Sequence, residues 1–105
     1  MLFEVFTLLP EVFAPYLESS ILMRARQRGI LDVRLHNIRD FTHDKHHTTD
    51  DIPYGGGGGM VMKPEPVFEA VETTLGREWS GTAPCPIILL TPQGRVFTQG
   101  QAQEW

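Results

Sequence analysis

The pattern of apolar and polar residues predicts strands and helices in alternation along the chain. Residues 2–9 form an apolar run bounded by Pro10, which is typical of a strand buried on both faces of a parallel sheet. From Glu11 the apolar spacing becomes helical, and Pro15 is expected to divide this stretch into a short turn and a helix over residues 21–28. The chain therefore begins with a predicted strand followed by helix.

A second strand is predicted over residues 30–38, directly after the helix stop at Gly29. Apolar residues in this stretch alternate with Arg34 and His36, which indicates one core face and one wetter face. The residues that follow, 39–62, have neither a helical nor a strand period. They are predicted to form a long loop, and long ordered loops in compact domains are usually functional.

The second half of the chain repeats the alternation. A helix is predicted to begin at Pro64 or Pro66 and to end at Gly76. A short, fully apolar strand is predicted over residues 86–90, and a last helix over residues 97–105. This order implies right-handed crossovers, so the expected fold class is α/β, a parallel sheet with flanking helices. Because no helix stop follows the last predicted helix, we expect the chain to be part of a longer protein.

Composition excludes several classes of protein. The chain has 105 residues, is 41% hydrophobic and carries a net charge of −4, which fits a globular domain better than a disordered segment. Cys85 is the only cysteine, so neither an intramolecular disulfide nor a thiolate metal cluster is possible within it. Apolar runs are too short for a membrane span, and Glu4 and Glu11 are atypical of a signal peptide. A cytoplasmic protein without membrane contact is the expectation.

The long loop carries the strongest candidate chemistry. Polar, titratable and aromatic residues lead into five consecutive glycines at 55–59, which permit unusual dihedral angles and a close approach of the backbone to a ligand. A flexible linker is the alternative, but Tyr54 and Met60 flank the run where a linker has Ser and Gly. We therefore predict that the loop binds a ligand.

The same loop raises the question of a metal site. His43, His46, His47 and Asp50 have ligand-like spacing, but the set matches no closed zinc pattern and no HExxH signature. The glycine run also lacks the Gly-Lys-Ser/Thr of a phosphate loop and does not join a strand directly to a helix. We expect no metal site.

A second candidate follows the strand predicted over residues 86–90. In open parallel sheets ligands bind beyond the carboxyl ends of strands, so the turn from Thr91 to Gly94 is placed to line a pocket. Pro92 stiffens this turn, and Gly94 would let backbone amides face a ligand. An ordinary turn between strand and helix is the alternative.

A third candidate is basic. Despite the negative net charge, five arginines fall within residues 24–39. Three of them, Arg24, Arg26 and Arg28, either form a face that contacts phosphates or belong to a solvated helix face, and the sequence favours neither interpretation.

Four segments in this order resemble one family. They are residues 6–13 (FTLLPEVF), 39–44 (RDFTHD), 50–60 (DDIPYGGGGGM) and 90–95 (LTPQGR). Together they cover essentially the whole chain and resemble the bacterial tRNA (guanine-N1)-methyltransferases of the trefoil-knot, or SPOUT, methyltransferase superfamily. The resemblance implies an enzyme that transfers a methyl group from S-adenosyl-L-methionine to N1 of the guanosine 3′-adjacent to the anticodon, position 37 of tRNA. It also implies a cytoplasmic homodimer that acts in tRNA processing.

The resemblance also assigns residues. The cofactor-binding positions are Leu90, Thr91, Pro92, Gln93 and Gly94. The substrate-binding positions are Arg24, His46, Asp50, Tyr54, Gly55, Gly56, Gly57, Gly58 and Gly59. No catalytic residue is assigned within the chain, although His46 and Asp50 could orient the substrate. The family usually has Pro or Ala where this chain has Gly58, so the loop is expected to be more flexible before it binds a ligand.

The resemblance also predicts what part of a protein this is. Residues 1–105 would form the N-terminal portion of the S-adenosylmethionine-binding knotted domain. The rest of the knot, the general base and a C-terminal tRNA-binding domain would lie outside the chain, which alone is expected to be inactive. Two alternatives remain: a small-molecule binding module with its pocket at Thr91–Gly94, and a dimerisation fragment without a nucleic-acid partner.

Overall fold

The computed structural model describes residues 1–76 and 85–105. Its strands are β1 (Leu2–Thr7), β2 (Asp32–Asn37), β3 (Asp50–Asp51) and β4 (Val61–Met62). Its α-helices are α1 (Ala14–Leu17), α2 (Ser20–Gln27), α3 (Pro64–Leu75) and α4 (Gln99–Glu104). Two 3-10 helices cover Pro10–Val12 and Ile38–Phe41.

The strands β1 and β2 form the parallel pair that the sequence predicts. Their register runs from Leu2 opposite Asp32 to Thr7 opposite Asn37. Because side chains alternate along a strand, the even-numbered residues of both strands share one face, which carries the polar side chains of Glu4 and Arg34. The other face is apolar. The expected parallel arrangement is therefore confirmed for the first two strands.

Helical segments cover the apolar face of this pair. Phe3 and Val33 from the sheet line an open apolar groove of about 440 Å³ together with Phe13, Leu17 and Leu22 from the segments between the strands. Leu17 is the buried residue of α1. The crossover from β1 to β2 therefore lies on the apolar side of the pair, with an open groove between its apolar side chains and those of the sheet.

The helix α3 packs against the 3-10 helix Ile38–Phe41 and against β1. It buries Pro66 and Ala70, which are four residues apart and therefore lie on one face. Proline in the first turn suits its start, and Gly76 follows its end with a φ of 84°, the left-handed region that favours glycine. Both predicted ends of this helix are confirmed.

The segment predicted as a long loop over residues 39–62 contains short elements of regular structure. Its first three residues, 39–41, belong to the 3-10 helix Ile38–Phe41. Further along, β3 and β4 pair as a short antiparallel hairpin. Elements of two to four residues are too short to show a period in the sequence, so the pattern could not indicate them.

The strand predicted over residues 86–90 is wrong. These residues contain no strand, and their apolar side chains are exposed, with Leu89 78% and Leu90 91% exposed. A strand requires a hydrogen-bonded neighbour, and among residues 1–76 and 85–105 both β1 and β2 pair only with each other.

The last predicted helix is present but shorter than expected. It is α4, which begins after Thr98 because the Thr98 hydroxyl accepts from the Gln101 amide while the Gln101 side chain accepts from the Thr98 amide. No helix in the described part of the chain is long and apolar enough to cross a membrane.

Candidate functional site

Asp44 organises the loop that precedes the hairpin. Its carboxylate accepts hydrogen bonds from the Thr48 hydroxyl at 2.8 Å, from the Thr48 amide at 3.0 and 3.1 Å, and from the His46 amide at 3.2 Å. These bonds, the one from the Thr48 hydroxyl above all, lower the pKa of Asp44 from its ordinary value of 3.8, because they favour the charged form. The ionised side chain therefore acts as an acceptor that fixes residues 44–48.

His47 closes the same loop from the other side. Its Nδ1 lies 3.0 Å from the Arg39 carbonyl oxygen and 3.0 Å from Thr42 Oγ1. A carbonyl only accepts, so this contact assigns the proton to Nδ1 and leaves Nε2 as the acceptor of the neutral ring. The Arg39 guanidinium in turn donates to the His47 carbonyl at 3.4 Å. His47 adopts a positive φ of 51°, which is uncommon for a residue with a side chain.

The hairpin continues directly from this loop. Thr49 is 1% exposed, and its carbonyl accepts from the Lys63 amide at 2.7 Å, next to the pair of Asp50 with Met62. The Thr49 hydroxyl has no hydrogen-bond partner in the part of the chain that the structure describes. Asp50 is half-buried at the base of the hairpin. Its position is therefore tied to the backbone of two strands.

The glycine run forms the tip of this hairpin. The Gly56 amide donates to the Pro53 carbonyl at 3.2 Å, and the Tyr54 side chain is fully exposed. Positive φ angles of 86°, 69° and 102° occur at Gly55, Gly56 and Gly59. A Cβ at any of the five glycines would meet no atom within 4 Å, so backbone conformation, not close packing, requires glycine at these three positions.

The second candidate, residues 91–94, is a tight turn. Its Gly94 amide donates to the Thr91 carbonyl at 3.0 Å, and its Gln93 amide donates to Thr91 Oγ1 at 3.4 Å. The expectation that these amides would face a ligand is therefore wrong, because both are used inside the turn. A Cβ at Gly94 would lie 3.1 Å from the Thr91 carbonyl oxygen, which explains the glycine. Among the described residues, the Thr91 amide, the Gln93 side chain and the carbonyl oxygens of residues 92–94 have no hydrogen-bond partner.

The two arginines of α2 and Arg28, which directly follows the helix, differ from one another. Arg26 donates to the Leu17 carbonyl at 3.3 Å and thereby links α2 to α1. Arg24 and Arg28 are exposed, and neither makes an ion pair or side-chain hydrogen bond within residues 1–76 and 85–105. Of the two interpretations left open for these arginines, a phosphate-contacting role is available to Arg24 and Arg28, while Arg26 has a structural contact.

The structure brings some of the predicted residues together. His46, Asp50, Tyr54 and the glycine run lie on one continuous loop and hairpin, whereas Arg24 lies on a helix that packs against α1. No hydrogen bond or ion pair among the described residues links the hairpin to the turn at residues 91–94. The roles assigned to the substrate-binding and cofactor-binding positions therefore stay predictions.

Sequence reasoning missed the two residues that define the loop. Asp44 belongs to the segment RDFTHD, which carries the family resemblance but indicates no role for it, although a short carboxylate four residues before a threonine is a recognisable loop-forming arrangement. Thr49 gave no signal, because nothing in the sequence distinguishes a buried threonine from an exposed one. Within the described residues no group of three or more His, Cys, Asp or Glu side chains is arranged to hold a metal ion.

Comparison with known proteins connects this geometry to a family. A family model described as "tRNA (Guanine-1)-methyltransferase TrmD" matches residues 1–105. The chain belongs to the tRNA (guanine-1)-methyltransferase family. Over 104 residues it is 51% identical to a tRNA (guanine-N(1)-)-methyltransferase of Dehalococcoides mccartyi, a match that covers 99% of this chain and 41% of that protein. A protein of the same name from Symbiobacterium thermophilum is 53% identical and covered to 42%.

A solved structure shares the fold of this family member. The crystal structure of tRNA (m1G37) methyltransferase from Aquifex aeolicus superposes with a TM-score of 0.67 and 35% sequence identity, covering 74% of this chain and 35% of that one. The expected fold class, the α/β arrangement of a knotted methyltransferase, is confirmed by the β1–β2 pair and by this likeness. The chain spans about two fifths of the length of the curated tRNA (guanine-1)-methyltransferases that it matches.

Proposed function

We propose that the protein methylates N1 of the guanosine 3′-adjacent to the anticodon, position 37 of tRNA, with S-adenosyl-L-methionine as methyl donor. The observation that carries the proposal is the match of the whole chain to the tRNA (guanine-1)-methyltransferase family, at 51% identity to a curated member over 104 residues. The likeness to the crystal structure of tRNA (m1G37) methyltransferase from Aquifex aeolicus supports the choice of nucleotide.

The turn at residues 91–94 suits the methyl donor. Its free carbonyl oxygens and the Gln93 side chain can accept hydrogen bonds from amino groups, which both ends of S-adenosylmethionine carry. Leu90, 91% exposed, offers an apolar surface for an adenine ring, and Thr91 and Pro92 complete the turn. S-adenosylmethionine would supply a methyl group on a positively charged sulfur, and the residues of the turn would hold and orient the cofactor.

The loop and hairpin suit the nucleic acid. His46 and Asp50 orient the guanine edge in the proposal, and Tyr54 with the glycine run from Gly55 to Gly59 forms a wall beside it. The open space around those glycines leaves room for a base to approach the backbone. Arg24 contacts phosphate. Rate enhancement in such a displacement comes largely from alignment of the two reactants, so positioning is the contribution expected of these residues.

We also propose how this chain fits into the assembled protein. Residues 1–105 form the N-terminal portion of the S-adenosylmethionine-binding domain of a cytoplasmic homodimer. The large apolar side chains that are exposed within the described residues, Leu89 and Val96 among them, support burial against further protein. Methylation then requires more than this chain, which alone is inactive.

A methyl-transfer assay tests the proposal. The full-length protein is expected to transfer label from S-adenosylmethionine to a tRNA transcript with guanosine at position 37, and not to the same transcript with adenosine there. Binding of S-adenosylmethionine without any transfer to either transcript would contradict the proposal and favour a small-molecule binding module.

Filter binding tests the nucleic-acid part separately. Affinity for tRNA is expected to fall as salt rises, because lysines and arginines that neutralise phosphates release counterions. Arg24→Ala is expected to reduce the slope of log affinity against log salt by about one. Arg26→Ala is the matched control, because that guanidinium is engaged by the Leu17 carbonyl. Affinity independent of salt would exclude phosphate contacts.

A further inference from the structure

The loop over residues 42–48 carries an inference that rests on the proposed function and deepens it. We propose that Asp44 is a positioning residue for tRNA recognition: its carboxylate holds this loop in the conformation that presents Lys45 and His46 to the substrate.

The carboxylate of Asp44 is directed entirely into its own loop. Both oxygens accept from the Thr48 amide, and Oδ2 also accepts from the Thr48 hydroxyl and the His46 amide. Asp44 makes no ion pair with a lysine, arginine or histidine in the described residues. A carboxylate beside phosphates is repelled by them, so the role that this geometry supports is to order the loop.

A second set of contacts closes the loop at its other side. The Nδ1 of His47 lies 3.0 Å from the Arg39 carbonyl oxygen, and the Arg39 guanidinium donates to the His47 carbonyl. The Thr42 hydroxyl donates to the Arg39 carbonyl at 2.7 Å. The loop is therefore bonded to the 3-10 helix before it, and the buried Thr49 and the hairpin follow it directly.

The side chains that remain free point to a nucleic-acid ligand. His43, Lys45 and His46 are exposed, and none of the three side chains has a polar partner within the described residues. Lysine is a common donor to phosphates, and neutral histidine both donates and accepts. Fixing the backbone before binding lowers the conformational entropy lost on binding, so the ordering by Asp44 is expected to appear in affinity for tRNA.

The experiment compares three variants of the full-length protein in steady-state methylation. Asp44→Ala is expected to raise KM for tRNA roughly tenfold while KM for S-adenosylmethionine stays within about twofold. Asp44→Asn is expected to restore part of the affinity, because its amide oxygen can accept from the Thr48 hydroxyl and the His46 amide in place of Oδ2, whereas its NH2 group cannot accept from the Thr48 amide as Oδ1 does. Thr48→Val removes one of the bonds and is expected to raise KM for tRNA by roughly threefold.

The kinetic results distinguish a positioning role of Asp44 from a purely structural role and from an effect of its charge. A purely structural defect would lower kcat through loss of active enzyme, leave KM for tRNA unchanged, and overturn the proposal. An Asp44→Asn variant as weak as Asp44→Ala would assign the effect to charge instead of hydrogen bonding and would also overturn it. Wild-type protein that does not methylate tRNA would overturn the proposed function and this inference together, whereas active wild type with an unaffected Asp44→Ala variant overturns the inference alone.

Discussion

Glu4 on β1 contacts His36 on β2 diagonally across the parallel pair, with 2.6 Å between Glu4 Oε2 and His36 Nε2. The two side chains are 19% and 24% exposed, and the His36 ring stacks on Phe6 with centroids 4.9 Å apart. The other carboxylate oxygen of Glu4 accepts from Arg34 at 3.2 Å. One carboxylate thus joins two residues of the neighbouring strand on the polar face of the sheet.

Removal of this carboxylate is expected to destabilise the fold. Glu4→Ala leaves the half-buried His36 ring nitrogen without its partner, and we expect a loss of about 1 kcal/mol in the free energy of unfolding, measured by urea denaturation. Arg34→Ala is the control. The Arg34 side chain is 59% exposed, so its loss is expected to cost below about 0.5 kcal/mol. Equal losses in the two variants would contradict the assignment of the stronger contact to His36.

Replacement of Thr49 by valine is expected to be neutral or stabilising, by up to about 1 kcal/mol. The hydroxyl of this 1%-exposed residue has no partner among the described residues, and valine has nearly the same shape. Urea denaturation provides the measurement. The neighbouring Thr48→Val is the matched control and should be the less stable of the two, because its hydroxyl bonds to Asp44. A clear loss of stability in Thr49→Val would mean that the hydroxyl is satisfied.

The glycine run is expected to respond differently at adjacent positions. Gly59 has a φ of 102°, so Gly59→Ala is expected to destabilise the hairpin by about 1 kcal/mol and to weaken tRNA binding. Gly58 has no positive φ and open space around it, so Gly58→Ala is expected to be neutral or stabilising by about 0.5 kcal/mol. Thermal unfolding and tRNA filter binding of the pair provide the measurement. A run in which both substitutions behave alike would instead be a simple flexible linker.

The loop around Asp44 is expected to loosen only in acid. A carboxyl whose pKa is lower in the folded than in the unfolded protein contributes stability that is present above its unfolded value and is lost as pH falls through its folded value. The pKa of Asp44 is lowered from 3.8, chiefly by the Thr48 hydroxyl, so the Thr48 amide resonance should titrate with a midpoint below 3.8 and stay constant at neutral pH. The transition should be absent in Asp44→Asn. A midpoint above 3.8 would exclude these hydrogen bonds.

The sequence was sufficient for elements that have a period. The strands β1 and β2 and the helix α3 follow from runs of six or more residues with a consistent pattern, and Gly76 marks the end of α3 as expected. The strand predicted over residues 86–90 failed for a physical reason. An apolar run shows that residues prefer burial, but a strand also needs a hydrogen-bonding neighbour, which the sequence of the run does not contain.

Much of the candidate site could not be predicted from patterns in the sequence. The glycine run and the Thr91–Gly94 turn were recognisable by composition, but the use of the Gln93 and Gly94 amides inside the turn depends on backbone geometry. The role of Asp44 depends on a bond to a residue four positions away, and the burial of Thr49 depends on the whole fold around it.

The register of the parallel pair has a consequence for synthesis of the protein. Each residue of β1 pairs with a residue 30 positions further along the chain. The ribosome must therefore release the nascent polypeptide beyond Asp32 before Leu2 can meet its partner. Formation of the first β1–β2 residue pair closes the intervening loop and accounts for most of the loss of chain entropy. The later pairs form without closing a second loop. Until then the apolar strand β1 lacks its partner and is exposed to chaperones while the following 30 residues are synthesised.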